Sequence, residues 1–164
     1  MGAAVNIYSY PILENELMLN LASGVDETFQ TMAHTNSIFE KAFTDKNWKA
    51  PAEYSVYLDF QTLPAKGQIR FHFTQNALVS LYNAMMGCTG VPDMVEVIDV
   101  LGEISNVCYG LAKGKLNREG YALGMALPHP GKTSDLPEFT SDRPNMVIPF
   151  RVFNEICYIQ VVIL

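Results

Sequence analysis

The sequence predicts an α+β fold, a mainly antiparallel sheet packed with helices, in the order α-β-β-α-α-β-β-β. Three observations carry this. Two long segments repeat apolar residues every three or four positions, two short segments alternate apolar and polar residues, and the last third carries a hairpin signal before a nearly all-apolar final run.

The first helix spans 12–33, where Leu17, Leu21, Val25, Phe29 and Met32 mark one buried face. Residues 34–52 are poorly patterned. Ile38, Phe39 and Phe43 suit a short helix or an aromatic flap, and 45–51 reads as a loop with Trp48, the one tryptophan, packing over a core edge. A hairpin follows. Tyr54, Val56, Leu58 and Phe60 alternate with polar neighbours in one strand, and Ile69, Phe71 and Phe73 do so in the other, with the turn at 64–67. Thr74 caps a helix over 75–86, and Gly87 ends it.

Pro92-Asp93 opens the second long helix. Its apolar stripe is continuous from 94 to 112, and Gly114 is the expected stop. A strand is expected over 119–127, then a long proline-rich loop over 128–145. Strands 146–153 and 156–164 form a hairpin through Asn154-Glu155, and the nearly all-apolar last strand should be central and covered on both faces.

Composition bounds the function. The chain has 164 residues, 49% of them hydrophobic, enough for one domain over 1–164 without covalent staples. A net charge of −6 argues against nucleic acid, which needs clustered cations. No apolar run approaches the roughly 20 residues of a membrane span. The first residues lack the marks of a signal peptide, and Asn6 weakens a myristoylation reading of Gly2. Cys88, Cys108 and Cys157 are odd in number and far apart, so they read as buried free thiols of a reducing cytoplasm. His34, His72 and His129 lack metal-ligand spacing, with His72 expected on a strand's outer face and His129 in a loop; no metal site is expected. Gly131-Lys132-Thr133 resembles the end of a phosphate loop but lacks the upstream glycine.

The most informative feature is on the second long helix. At about 100° per residue, Glu96, Asp99, Glu103, Asn106, Gly110 and Lys113 share an arc about 100° wide, opposite the apolar stripe. Glu103 and Asn106 stand one turn apart and face the same partner. A carboxylate holds a cation, and a carboxamide accepts and donates at once, so it can orient a water. Gly102 and Gly110 are unusual in a helix interior, where each costs roughly 1 kcal/mol relative to Ala. At Gly110 the missing side chain leaves room for close approach. Tyr109 and Lys113 flank this face. Polar helix faces are ordinarily just solvated, so spacing alone does not make a site.

Asp99, Glu103 and Asn106 in register, followed at a distance by Pro128 or Pro130, resemble the signature of the CheC/CheX/FliY family of bacterial chemotaxis phosphatases. That signature places about twenty-two residues between Asn and its proline, so Pro128 falls one short and Pro130 one beyond. Residues 116–121 are similar to the family's link from long helix to strand. The element order is most like CheX, and the similarity is best through 67–128.

The resemblance implies a CheC/CheX-like fold and a phosphatase that acts on a phosphorylated CheY-type response regulator. The regulator would supply the phosphoaspartate and its Mg²⁺, and this chain would bind no cofactor. Glu103 would pair with the regulator's lysine, and Asn106 would position the attacking water. Asp99, Gly110 and Lys113 would contact the partner. A homodimer with a continuous sheet is a further implication, as is one functional site per chain. The alternative is a non-catalytic binding module that docks on a receiver domain or a flagellar component.

Overall fold

The computed structural model describes residues 10–62, 65–138 and 141–164. The expected readings at residues 1–6 and the start of the turn at Pro64 lie outside them. The predicted order is reproduced, with two short strands added after the first helix. In chain order the elements are α1 (Tyr10–Ala33), β1 (Ile38–Phe39), β2 (Phe43–Asp45), β3 (Tyr54–Gln61), β4 (Lys66–Phe73), α2 (Gln75–Met86), α3 (Met94–Arg118), β5 (His129–Lys132), a 3-10 turn (Thr133–Asp135), β6 (Asn145–Val152) and β7 (Glu155–Ile163).

The strands form one seven-stranded antiparallel sheet in the order β1-β6-β7-β4-β3-β5, with β2 also on β6. The predicted hairpin is β3–β4, pairing Tyr54 with Phe73 through Gln61 with Lys66. The β6–β7 turn lies one residue earlier than expected, at Phe153-Asn154. Both residues have positive φ, 49° and 63°, the geometry whose twist suits a two-residue hairpin. β7 lies between β6 and β4 and is buried on both faces from Ile159 to Ile163, as its unbroken apolar run requires.

One face of the sheet carries the core. Val56, Leu58, Phe71, Phe73, Phe150 and Ile159 project there, against Leu17, Leu21, Val25 and Phe29 of α1 and Leu101, Ile104 and Cys108 of α3. At Gly24 a Cβ would lie 2.8 Å from the Cys108 carbonyl oxygen, so α1 and α3 touch backbone to backbone at this point. Thr74 caps α2 as expected, and Gly87 closes it with a φ of 65°; α3 begins at Met94, just after the expected opening at Pro92-Asp93, with Asp93 as its N-cap.

The opposite face departs from expectation. Ser55, Gln68, Arg70, His72 and Gln160 project there, yet all are buried. His72 is therefore an interior residue and not a solvated one. Its cover comes from the segments that lacked a pattern. Trp48 sets its ring edge-on to His72 at 5.6 Å and to Tyr158 at 5.1 Å, and Pro137 accepts a 2.6 Å hydrogen bond from Arg70 Nη2.

Other expectations need correction. Ile38, Phe39 and Phe43 lie in edge strands on β6, because that strand's outer hydrogen-bonding side was open. The strand expected at 119–127 is unpaired. Left-handed backbone at Gly120 and Ala122 turns the chain there, and pairing with β3 begins only at His129. His129 is thus in a strand, stacked on Tyr57 at 4.7 Å. Helix α3 runs past Gly114 to Arg118, since a lone glycine lowers helix propensity without ending the helix. Cys88 is exposed, whereas Cys108 and Cys157 are buried.

Candidate functional site on helix α3

Four contacts fix α3 and determine which stripe it leaves open. Asp93 Oδ1 accepts from Val95 N–H at 3.0 Å, and Tyr82 Oη donates to Glu96 at 2.7 Å, which ties α2 to the first turn. Cys108 meets Gly24 of α1. Gly102 faces β5, where a Cβ would lie 3.3 Å from Pro130 Cγ. Of the two prolines near the expected spacing, Pro130 is the one packed against α3. Pro130 is paired with Val56, projects to the helix face and seats against the residue just before Glu103.

The chain after α3 is drawn back along it. Asn117 bonds Leu123 in both directions, accepting at 2.6 Å and donating at 3.0 Å. Tyr109 Oη donates to the Gly124 carbonyl at 2.7 Å. Tyr109 is buried, which pushes its phenol up to about 12, so it is a strut for this segment and not a partner contact. Residues 124–130 are therefore held to α3 from the level of Tyr109 to that of Gly102, and they pass Glu103 and Asn106 on the way.

What remains open is the predicted stripe. Asp99, Glu103, Asn106 and Gly110 are exposed, and Lys113 is half-buried. Gly110 has nothing within 4 Å of where a Cβ would stand. Ser105, between Glu103 and Asn106, turns inward and donates to the Gly102 carbonyl at 2.8 Å. The result is a carboxylate and a carboxamide on one rigid helix turn, beside a glycine gap. It can hold a cation and orient a water, provided that another molecule supplies the reacting group. Among the described residues no three His, Cys, Asp or Glu side chains converge on a metal position.

Two residues of this surface were missed in the sequence. Met125 and Leu127 are 87% and 70% exposed on the pinned segment beside the motif. The expected strand over 119–127 gave no sign of an exposed apolar pair. These two exposed apolar side chains, two residues apart, add an apolar element to the surface beside α3.

The same fold occurs in solved structures. A CheC-like superfamily protein from Shewanella sp. PV-4 shares 22% identity over 91% of this chain and 97% of its own, with a TM-score of 0.81. Chemotaxis protein CheX from Desulfovibrio desulfuricans shares 20% over 91% and 99%, with a TM-score of 0.78. The CheX of a CheX-CheY-BeF3-Mg²⁺ complex from Borrelia burgdorferi shares 14% over 90% and 97%, with a TM-score of 0.72. No curated protein matches this chain in sequence. The family model described as chemotaxis phosphatase CheX matches residues 60–151, more than half of the chain and the whole of the motif helix. This chain belongs to the CheX family.

Proposed function

We propose that this chain hydrolyses the aspartyl phosphate of a CheY-type response regulator, with α3 presenting the groups that aim the water. The observation that carries the reading is the exposed Glu103–Asn106 pair on a helix fixed from behind by Pro130 and Gly24. Family membership supports it, as does the relative seen with CheY, BeF3 and Mg²⁺.

The regulator brings the phosphoaspartate together with its own Mg²⁺, which neutralises phosphoryl charge. Glu103 pairs with a lysine of the regulator and sets the depth of docking. Asn106 accepts from and donates to one water, and holds its oxygen in line with the bond to be broken. The water oxygen attacks phosphorus, the phosphorus–oxygen bond to aspartate breaks, and the aspartate leaves as a carboxylate. The water's proton passes to the released phosphate. Phosphoryl transfer asks mostly for placement and charge stabilisation; Glu103 and Asn106 serve placement, and the charge would be met by the cations of the regulator. Asp99 contributes field at the docking rim and Lys113 a cation further along the stripe, while Gly110 admits the partner's backbone. Met125 and Leu127 supply apolar contact area. A homodimer is part of the same reading, and sedimentation of the purified chain at twice the monomer mass is its test.

The function is tested by adding the chain to phosphorylated CheY-type receivers from the same genome and following phosphate release. Accelerated release is expected. Binding without acceleration would replace the phosphatase by a docking module.

A further inference from the structure

The sheet face opposite the helices holds a second candidate site. An open cavity of about 990 Å³ lies between the sheet, the segment around Trp48 and the stretch after β5, a size that suits a small organic ligand. Its floor is polar and built. Arg70, His72, Asn145 and Gln160 line it and are each at most 9% exposed.

The floor is held by a directed chain of hydrogen bonds. Gln160 Oε1 only accepts, so His72 Nε2 carries the proton across their 2.7 Å contact. His72 Nδ1 then accepts from Ser55 Oγ at 2.6 Å, and Ser55 accepts from Thr133 Oγ1 at 2.7 Å. Every group in this chain is used, so none of them explains why charge gathers above it.

Charge does gather there. The lining carries five of the eleven Lys and Arg of the chain but two of its seventeen Asp and Glu. Lys46 and Lys49 follow β2, Arg70 comes from β4, Lys132 from β5, and Arg143 precedes β6. Glu138 pairs with Lys49 at 3.5 Å and Glu53 accepts from Gln75 N–H at 3.2 Å, so both acids offset part of the positive charge and three of the five cations remain in formal excess. In a chain of net charge −6 this is a local reversal of sign, and a concave surface of one sign focuses its field on counter-ions. Cations from four separate stretches suit a ligand with two or more negative charges. Half-buried Trp48 and Leu136 add an apolar wall to the same cavity.

We infer that this cavity binds a small organic phosphate of nucleotide size, its phosphates among the cations and its planar ring against Trp48. The site is remote from the exposed stripe of α3, and its test does not depend on phosphatase activity.

Trp48 is the only tryptophan, so its fluorescence reports directly on the cavity. Calorimetry and Trp48 fluorescence would be followed with ATP, pyrophosphate, adenosine and citrate. Expected are saturable binding of ATP at one site per chain with a change at Trp48, weaker binding of pyrophosphate and none of adenosine. The Lys46→Glu/Lys132→Glu variant, its fold checked by circular dichroism, should weaken ATP by about tenfold or more. Absence of saturable heat with ATP and pyrophosphate up to millimolar concentration would overturn the inference. So would ATP binding unchanged in the charge-reversed variant, or citrate binding as tightly as ATP.

Discussion

Replacing Gly110 by alanine should make the protein more stable and less active. Gly110 lies inside α3, is exposed, and has nothing within 4 Å of where a Cβ would stand. The added methyl therefore meets no neighbour in the free protein. Removing the entropic cost of glycine in a helix interior should stabilise the fold by about 0.5–1 kcal/mol. For a domain of this size each kcal/mol moves Tm by about 2–4 °C, so the midpoint should rise by roughly 1–4 °C. On the partner side, the same methyl stands in the gap next to Asn106. A displacement of an ångström at a water-positioning site costs on the order of a hundredfold in rate. The assay is paired: thermal unfolding of the free chain, and phosphate release from a phosphorylated receiver. A Tm that rises with turnover unchanged would refute the placement of Gly110 against the partner. A Tm that falls would refute the open geometry at this position.

The other glycine contact gives the opposite sign. Gly24→Ala puts a methyl 2.8 Å from the Cys108 carbonyl, a backbone atom with no rotamer to yield, so overpacking of about 1–3 kcal/mol should outweigh the helix-propensity gain and lower the urea midpoint. Burial holds the His72 imidazole down to about 4, whereas the unfolded chain takes up that proton near 6.5. Between those values the unfolded state binds the extra proton, so the contribution of His72, on the order of 3 kcal/mol, is present above about pH 6.5 and lost as pH falls towards 4; unfolding of a His72→Gln variant should depend less steeply on pH across this window. Cys88 alone should react with a thiol reagent in the native protein, because Cys108 and Cys157 are buried with their thiols pushed up to about 12, and all three should react in denaturant. Met125→Ser with Leu127→Ser should raise KM for the receiver with little change in kcat, since these side chains supply contact area and no chemistry.

What the sequence made legible followed periodicity. Helix α1, the β3–β4 hairpin, α2 and most of α3 bury one face each, and their apolar residues repeat at the matching period. The exposed stripe from Asp99 to Gly110 was readable for the same reason, because its residues are the complement of the apolar ones. The sequence was silent where long-range contacts decide. Ile38 and Phe43 became strands only because β6 offered an edge. Tyr121 and Leu123 are buried as in a strand, yet the segment spends its hydrogen bonds on Asn117, Tyr109 and Gln61 and not on a ladder. The exposure of Met125 and Leu127 follows from that irregular path. His72 was expected on a strand's outer face because polar residues alternate with apolar ones there; the cover by Trp48 and Pro137 comes from irregular chain that has no periodic signature. That Pro130 packs on α3 also needed the structure, since it shows only as a 3.3 Å approach to Gly102.

The central claim is that Asn106 aims a water and does not merely dock. Its most direct test is single-turnover phosphate release from a phosphorylated CheY-type receiver at saturating concentrations of wild type and Asn106→Ala, with receiver affinity measured alongside. The account predicts affinity within a few-fold of wild type and release slowed by about a hundredfold or more. Equal rates for the two proteins at saturation, or a loss confined to affinity, would contradict it.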